Sequence, residues 1–109
     1  MKARLTERET NDLIARLEER KYGHRLNSMQ LAQKANVSLD EVNRIENQLA
    51  PSDPMAAERI ARALGINTEL LAKIAGLVEM PNEELNQLYQ CLGTPAMEAP
   101  PECARIGML

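Results

Sequence analysis

The feature that most constrains this chain is its punctuation. Short runs of helical periodicity are each opened by a side chain able to accept a backbone N–H and closed by a residue suited to left-handed backbone. Thr6 followed by Glu9 has capping-box spacing, and Leu13, Ile14 and Leu17 follow, which predicts a first helix from about Glu7 to Arg20. Asn27 with Gln30 repeats the pattern ahead of Met29, Leu31, Ala32 and Ala35. Asn36 should end that helix, since Asn enters the left-handed region more readily than other side-chain-bearing residues. Ser38 with Glu41 has box spacing again, so Glu41 is expected to turn back to the Ser38 amide while Val42 and Ile45 face inward. Asp53 before Pro54 opens a fourth helix, to Leu64, and Gly65 ends it. Asn67 caps a fifth, about Thr68 to Ala75, closed by Gly76, and "PNEELNQLYQCLG" places Leu85, Leu88, Tyr89 and Leu92 at helical spacing before Gly93.

Helices this short are marginal alone and must pack on one another. Two Tyr and no Phe or Trp leave little of the aromatic material strands favour, so an all-α fold is expected. The chain has room for one small domain and an appendage, without a separate effector-binding domain. The expected division is residues 1–76 as the main domain, 77–93 as a C-terminal helix and 94–109 as a disordered tail, because "TPAMEAPPECARIGML" is Pro-rich and weakly periodic.

The apolar stretch "ELLAKIAGLVEM" is broken by charge and falls short of the ~20 residues of a membrane span. The acid-containing N-terminus does not resemble a signal peptide, so a cytoplasmic, soluble protein with no membrane partner is expected. Cys91 and Cys103 lie twelve apart and far from the single His24, a spacing that fits neither a zinc site nor a disulfide framework; reduced thiols are expected. One His, no metal or cofactor motif, no Gly-rich phosphate loop and no nucleophile with a base give an enzyme no residues to work with. Net charge is −3, with basic groups in excess over residues 1–25 and acidic ones over 81–109, so charge alone does not announce a nucleic-acid partner.

Five short helices with a tight turn between the second and third resemble the phage repressor and Cro (Xre-like) helix-turn-helix family. The residues that carry the resemblance are Leu31-Ala32, Asn36-Val37-Ser38, Val42, Ile45-Glu46 and "ERIARALGINTELL", over roughly residues 7–76. Four positions depart from the family pattern. Asn36 stands for a usual Gly, and Ser28 for a common phosphate-binding Gln, so that contact should be shorter or lost. Gln48 stands for the Gly after the third helix, which would shift the left-handed residue to Asn47. "KYGHRL" is longer than the usual connection and adds Arg25 near a backbone phosphate.

The resemblance implies a sequence-specific regulator that lays its third helix in the major groove of double-stranded DNA. Leu39, Asp40, Asn43 and Arg44 would then face base edges, and Arg25, Ser28, Gln30, Lys34, Asn47 and Gln48 the DNA backbone. It also implies that Glu46 pairs with a helix-one Arg, here Arg16 or Arg20, and that two copies bind a palindromic site. For that homodimer the surface is expected from Leu77, Val78, Leu85, Leu88, Tyr89 and Leu92, unless the sixth helix folds back on its own core. The other reading is a helical adaptor that uses the same fold to bind protein.

Overall fold

The caps read from the sequence set most helix boundaries of the computed structural model, which describes residues 2–109. Helix α1 (Glu7–Tyr22) starts with the Thr6–Glu9 box, the Thr6 N–H donating to Glu9 at 2.9 Å and the Glu9 N–H to the Thr6 hydroxyl at 3.2 Å. It runs two residues past the expected Arg20 because its last turn is tied to a neighbour. Lys21 Nζ donates to the Arg62 carbonyl at 2.7 Å and the Tyr22 hydroxyl to that of Ala63 at 2.6 Å. Helix α2 (Ser28–Ala35) carries the Asn27–Gln30 box and stops at Asn36, which is left-handed at φ 57 and ψ 48. Helix α3 (Leu39–Glu46) follows after a short turn. Helix α4 (Pro54–Leu64) is capped by Asp53 and α5 (Thr68–Ile74) by Asn67, each through the backbone N–H three residues on. Helix α6 (Asn82–Leu92) is preceded by strand β2 (Met80–Pro81), which pairs antiparallel with β1 (Lys2–Ala3) in a two-residue ribbon.

The molecule is thus mostly helical. Its core takes Leu13 and Leu17 from α1, Leu31 from α2, Val42 and Ile45 from α3, Ile60 and Leu64 from α4, and Leu70, Leu71 and Ile74 from α5. No helix among the described residues is long and apolar enough to cross a membrane.

Helix α6 folds back on its own core, the alternative to the expected dimer surface. Leu88 is 0% exposed, and Leu77, Leu85, Tyr89 and Leu92 are half-buried against the same core, so much of the apolar stripe is used within the protomer. Of the expected set only Val78 is exposed, at 44%.

The segment 94–109 corrects an expectation, because it is an ordered arm. It forms a 3-10 turn (Ala96–Glu98) and helix α7 (Pro101–Arg105), then lies against the α4–α5 turn. There the Asn67 N–H donates to the Gly107 carbonyl at 2.8 Å and the Leu109 N–H to that of Gly65 at 2.9 Å. Gly107 is required at this approach: its φ is 114, and a Cβ would lie 2.6 Å from Asn67 Oδ1 and 2.8 Å from Leu70 Cβ. Cys103 and Met108 are buried, and Cys103 is disulfide-bonded to Cys91 rather than a free thiol. Four inward residues, Ala99, Cys103, Ile106 and Met108, are too few to give a periodic signal. Their partners lie on α6 and at the α4–α5 turn, which the local sequence does not reveal. With the thiols paired, cysteine usage no longer argues for a reducing compartment.

One carboxylate is placed against the rules of burial. Glu18 of α1 is 3% exposed and accepts the Leu26 N–H at 3.2 Å. Burial pushes its pKa up, against the Leu26 N–H, and nearby Glu46 adds to the rise. A folded-state pKa above the unfolded one means that the ionised group opposes folding. That penalty is complete above the raised pKa and vanishes as pH falls through it to the ordinary glutamate value. Glu18→Gln, which keeps an oxygen for Leu26, should therefore melt higher than the wild type at neutral pH, and the gap should close in mild acid. Melting curves across that range check this, and a gap independent of pH would refute it.

Candidate nucleic-acid interface

Val42 and Ile45, each 1% exposed, turn one side of α3 into the core. At 100° per residue the opposite side must carry Leu39, Asp40, Asn43 and Arg44, the four positions expected to face bases. Leu39, Asp40 and Asn43 are exposed and Arg44 is half-buried. The Arg44 guanidinium is already engaged: Nε lies 3.5 Å from the Asp40 carboxylate and Nη1 donates to the Ala50 carbonyl at 3.1 Å. Asp40 and Arg44 thus form an i, i+4 pair on the surface, an arrangement worth only ~0.2–0.5 kcal/mol.

The other two carboxylates of α3 belong to the scaffold, by contacts other than those expected. Ser38 makes no side-chain cap, and Glu41 does not turn back to it. Instead the Ser52 N–H donates to Glu41 at 2.9 Å and the Ser52 hydroxyl donates to its second oxygen. Two donors from the α3–α4 loop satisfy a carboxylate that is 7% exposed, which one Ser38 amide could not do. Glu46 is likewise not paired with Arg16 or Arg20. Both its oxygens accept from the Ser28 hydroxyl, at 2.7 and 2.9 Å, while Arg16 pairs with Asp12 at 2.9 Å.

These bonds divide the residues expected on the DNA backbone. Arg25, Gln30, Lys34 and Asn47 are exposed. Arg25 donates to Glu19 at 2.6 Å, Gln30 lends an oxygen to the Asn27 N–H, Lys34 Nζ sits 5.3 Å from the Tyr22 ring centroid, and Asn47 donates to the Asn43 carbonyl at 2.8 Å. Ser28 has its proton committed to Glu46. Gln48 faces inward, its amide donating to the Leu5 carbonyl at 2.5 Å and to Thr10 Oγ1 at 3.1 Å. The left-handed residue after α3 is Gln48 itself, at φ 61, with Asn47 at φ −98. Gln48 tolerates the strain because its side chain is fixed by two acceptors on the α1 side. Thr10 passes the link on, its hydroxyl donating to the Ile74 carbonyl of α5 at 2.6 Å. Gly76 leaves the room: a Cβ there would lie 2.3 Å from Gln48 Nε2.

Sequence reasoning missed Ser52, which ties the α3–α4 loop to Glu41, Thr10, which links Gln48 to α5, and the buried Glu18, which meets the α1–α2 connection at Leu26. Ser52 gave no signal in "APSDP", where turn chemistry alone explains a Ser. Among the described residues no group of three His, Cys, Asp or Glu side chains could hold a metal ion. No family model, curated protein or solved structure matches the chain.

The division of α3's carboxylates is testable. Glu41→Ala should lower stability by roughly 1–3 kcal/mol, since it removes two hydrogen bonds made to a buried carboxylate. Asp40→Asn should leave the melting temperature nearly unchanged, because the Asp40 side chain is 79% exposed and its pairing with Arg44 is worth little. Thermal unfolding of the two variants side by side decides it, and equal destabilisation would reject the assignment.

Proposed function

We propose that the chain is a sequence-specific DNA-binding transcriptional regulator of the repressor and Cro type, reading duplex DNA with the outer face of α3 in the major groove. The observation that carries this is the two-sidedness of α3. Val42, Ile45 and Glu41 fix its inner side, while Leu39, Asp40, Asn43 and Arg44 occupy the outer side together. Those four offer a methyl contact, an acceptor, an amide and a guanidinium, the groups that distinguish base pairs in the major groove. Helices α2 and α3 with the left-handed Asn36 between them have the proportions of the helix-turn-helix unit, in which α2 crosses the backbone. Arg25, Lys34, Gln30 and Asn47 are the exposed donors available to phosphates. Two copies on a palindromic site are the expected binding form, since one such face touches few bases.

A protein partner is the second reading, favoured by one observation. Met29, Leu39, Leu49 and Met55 are large, apolar and between 38% and 61% exposed, more oily surface than phosphate contact requires.

Selection of bound duplexes from a random pool separates the two. The DNA reading expects a palindromic motif; absence of any enriched sequence would refute it. On the selected site, Arg44→Ala should cost about 1–3 kcal/mol and relax preference at one base pair. Lys34→Ala should weaken all sequences alike and reduce the salt slope by about one. Equal affinity of wild type and Arg44→Ala would remove Arg44 from base reading.

A further inference from the structure

The chain's two cysteines are joined at its C-terminal end, away from α3, and the bond lies where the arm has least else to hold it. Helix α7 has five residues, too short to persist alone. The middle of the arm faces solvent, with Met97 99% exposed and Glu98, Glu102, Ala104 and Arg105 exposed as well. Two main-chain hydrogen bonds to the Gly65–Asn67 turn, the buried Met108 and the half-buried Ile106 are what hold its end. The disulfide joins α6 to α7 across a sequence separation of twelve, so breaking it returns the freedom of the closed loop to the chain.

Cys91 and Cys103 are both buried, each 3% exposed, and they differ in what lies beside them. A surface pocket of about 190 Å³ is lined by Cys91 with Gln87, Gln90, Thr94, Pro100 and Glu102, and Cys103 is not part of it. What the arm covers is apolar: Ile66, bridged to Met108, and Leu70, against Gly107, are 1% and 0% exposed.

We propose that the Cys91–Cys103 disulfide is a site of thiol–disulfide exchange with a dithiol, and that its reduction unlatches residues 94–109 from the α4–α5 turn and bares the apolar seam at Ile66 and Leu70. One thiolate of the dithiol attacks Cys91 Sγ from the pocket, the protein's S–S bond breaks, and Cys103 leaves as a thiolate that takes up a proton. The second thiol of the reductant then attacks the mixed disulfide and expels Cys91, which is protonated in turn. Two electrons and two protons pass to the protein, and the reductant ends as its own disulfide. The chain has no third cysteine to reshuffle with, so the exchange has two end states.

The full chain, air-oxidised, should take up no iodoacetamide until dithiothreitol is added, and two equivalents afterwards. Trypsin cleavage at the exposed Arg105, read by mass as release of residues 106–109, should be roughly tenfold faster or more in the reduced protein. The double variant Cys91→Ser/Cys103→Ser, which needs no reductant and adds no bulk, should be cut at the reduced rate while keeping its helical circular dichroism. With glutathione as a single thiol, the mixed disulfide should map to Cys91. Two reactive thiols in the oxidised protein, or reduced and double-variant proteins cut no faster than the oxidised one, would overturn the latch. So would loss of the whole helical signal in the double variant, which would make the bond a support of the entire fold. Glutathione on Cys103 would overturn the route of attack.

Discussion

The burial of Val42 and Ile45 is the contact on which the rest of the candidate site depends. Each buried side chain of this size contributes about 1.5–3 kcal/mol, and together they fix the rotation of an eight-residue helix about its axis. Once that rotation is set, every other residue of α3 has its surroundings assigned. Glu41 falls at the inner margin and is viable there because Ser52 supplies two donors. Glu46 falls beside α2 and takes the Ser28 hydroxyl. Asp40 and Arg44 fall outside, where they meet each other. Three carboxylates on one short helix thus have three different environments, all following from two apolar neighbours.

What the sequence made legible was local. A cap is decided within four residues, so the boxes at Thr6 and Asn27, the caps at Asp53 and Asn67 and the left-handed stop at Asn36 could be read directly. So could the inward and outward residues of α3, because periodicity is local as well. The misses are long-range. Ser38 and Glu41 had the right spacing for a box, but Ser52, eleven residues beyond Glu41, offered a better pair of donors. Gln48 stood where the resemblance wants glycine, and only the acceptors at Leu5 and Thr10 explain how a side chain lives at φ 61. The arm was illegible for the same reason. Its few apolar residues answer to α6 and the α4–α5 turn rather than to one another.

The α6 stripe shows how an abundance of apolar residues misleads when the size of the core is unknown. Leu85, Leu88, Tyr89 and Leu92 looked surplus to a five-helix unit. The unit has an open side by α1 and β2, however, and α6 closes it, with Arg16 of α1 stacked 5.5 Å from the Tyr89 ring centroid. The arm then closes the next gap, at the α4–α5 turn. A symmetric contact between two copies would have to be built from surface that this closure leaves open, which includes Val78 and the outer parts of the half-buried Leu77, Leu85, Tyr89 and Leu92.

The electrostatics of the outer α3 face bear on what kind of DNA reader it would make. Arg44 is partnered by Asp40 and the Ala50 carbonyl, and Arg25 by Glu19, so Lys34, over Tyr22, has the least compensated charge near the site. A face so close to neutral gains little from counterion release, and its attraction to arbitrary sequence should be weak with a shallow dependence on salt. Arg44 can give up exposed partners at small cost, because the pair is solvated before and after. It gains only where a guanine replaces both the carbonyl and the carboxylate it leaves. Asp40, once released, needs a donor such as the cytosine amino group and is repelled by phosphates elsewhere. In such a reader the acidic start of α3 would lower binding everywhere and lower it least where the base pairs match, trading affinity for discrimination.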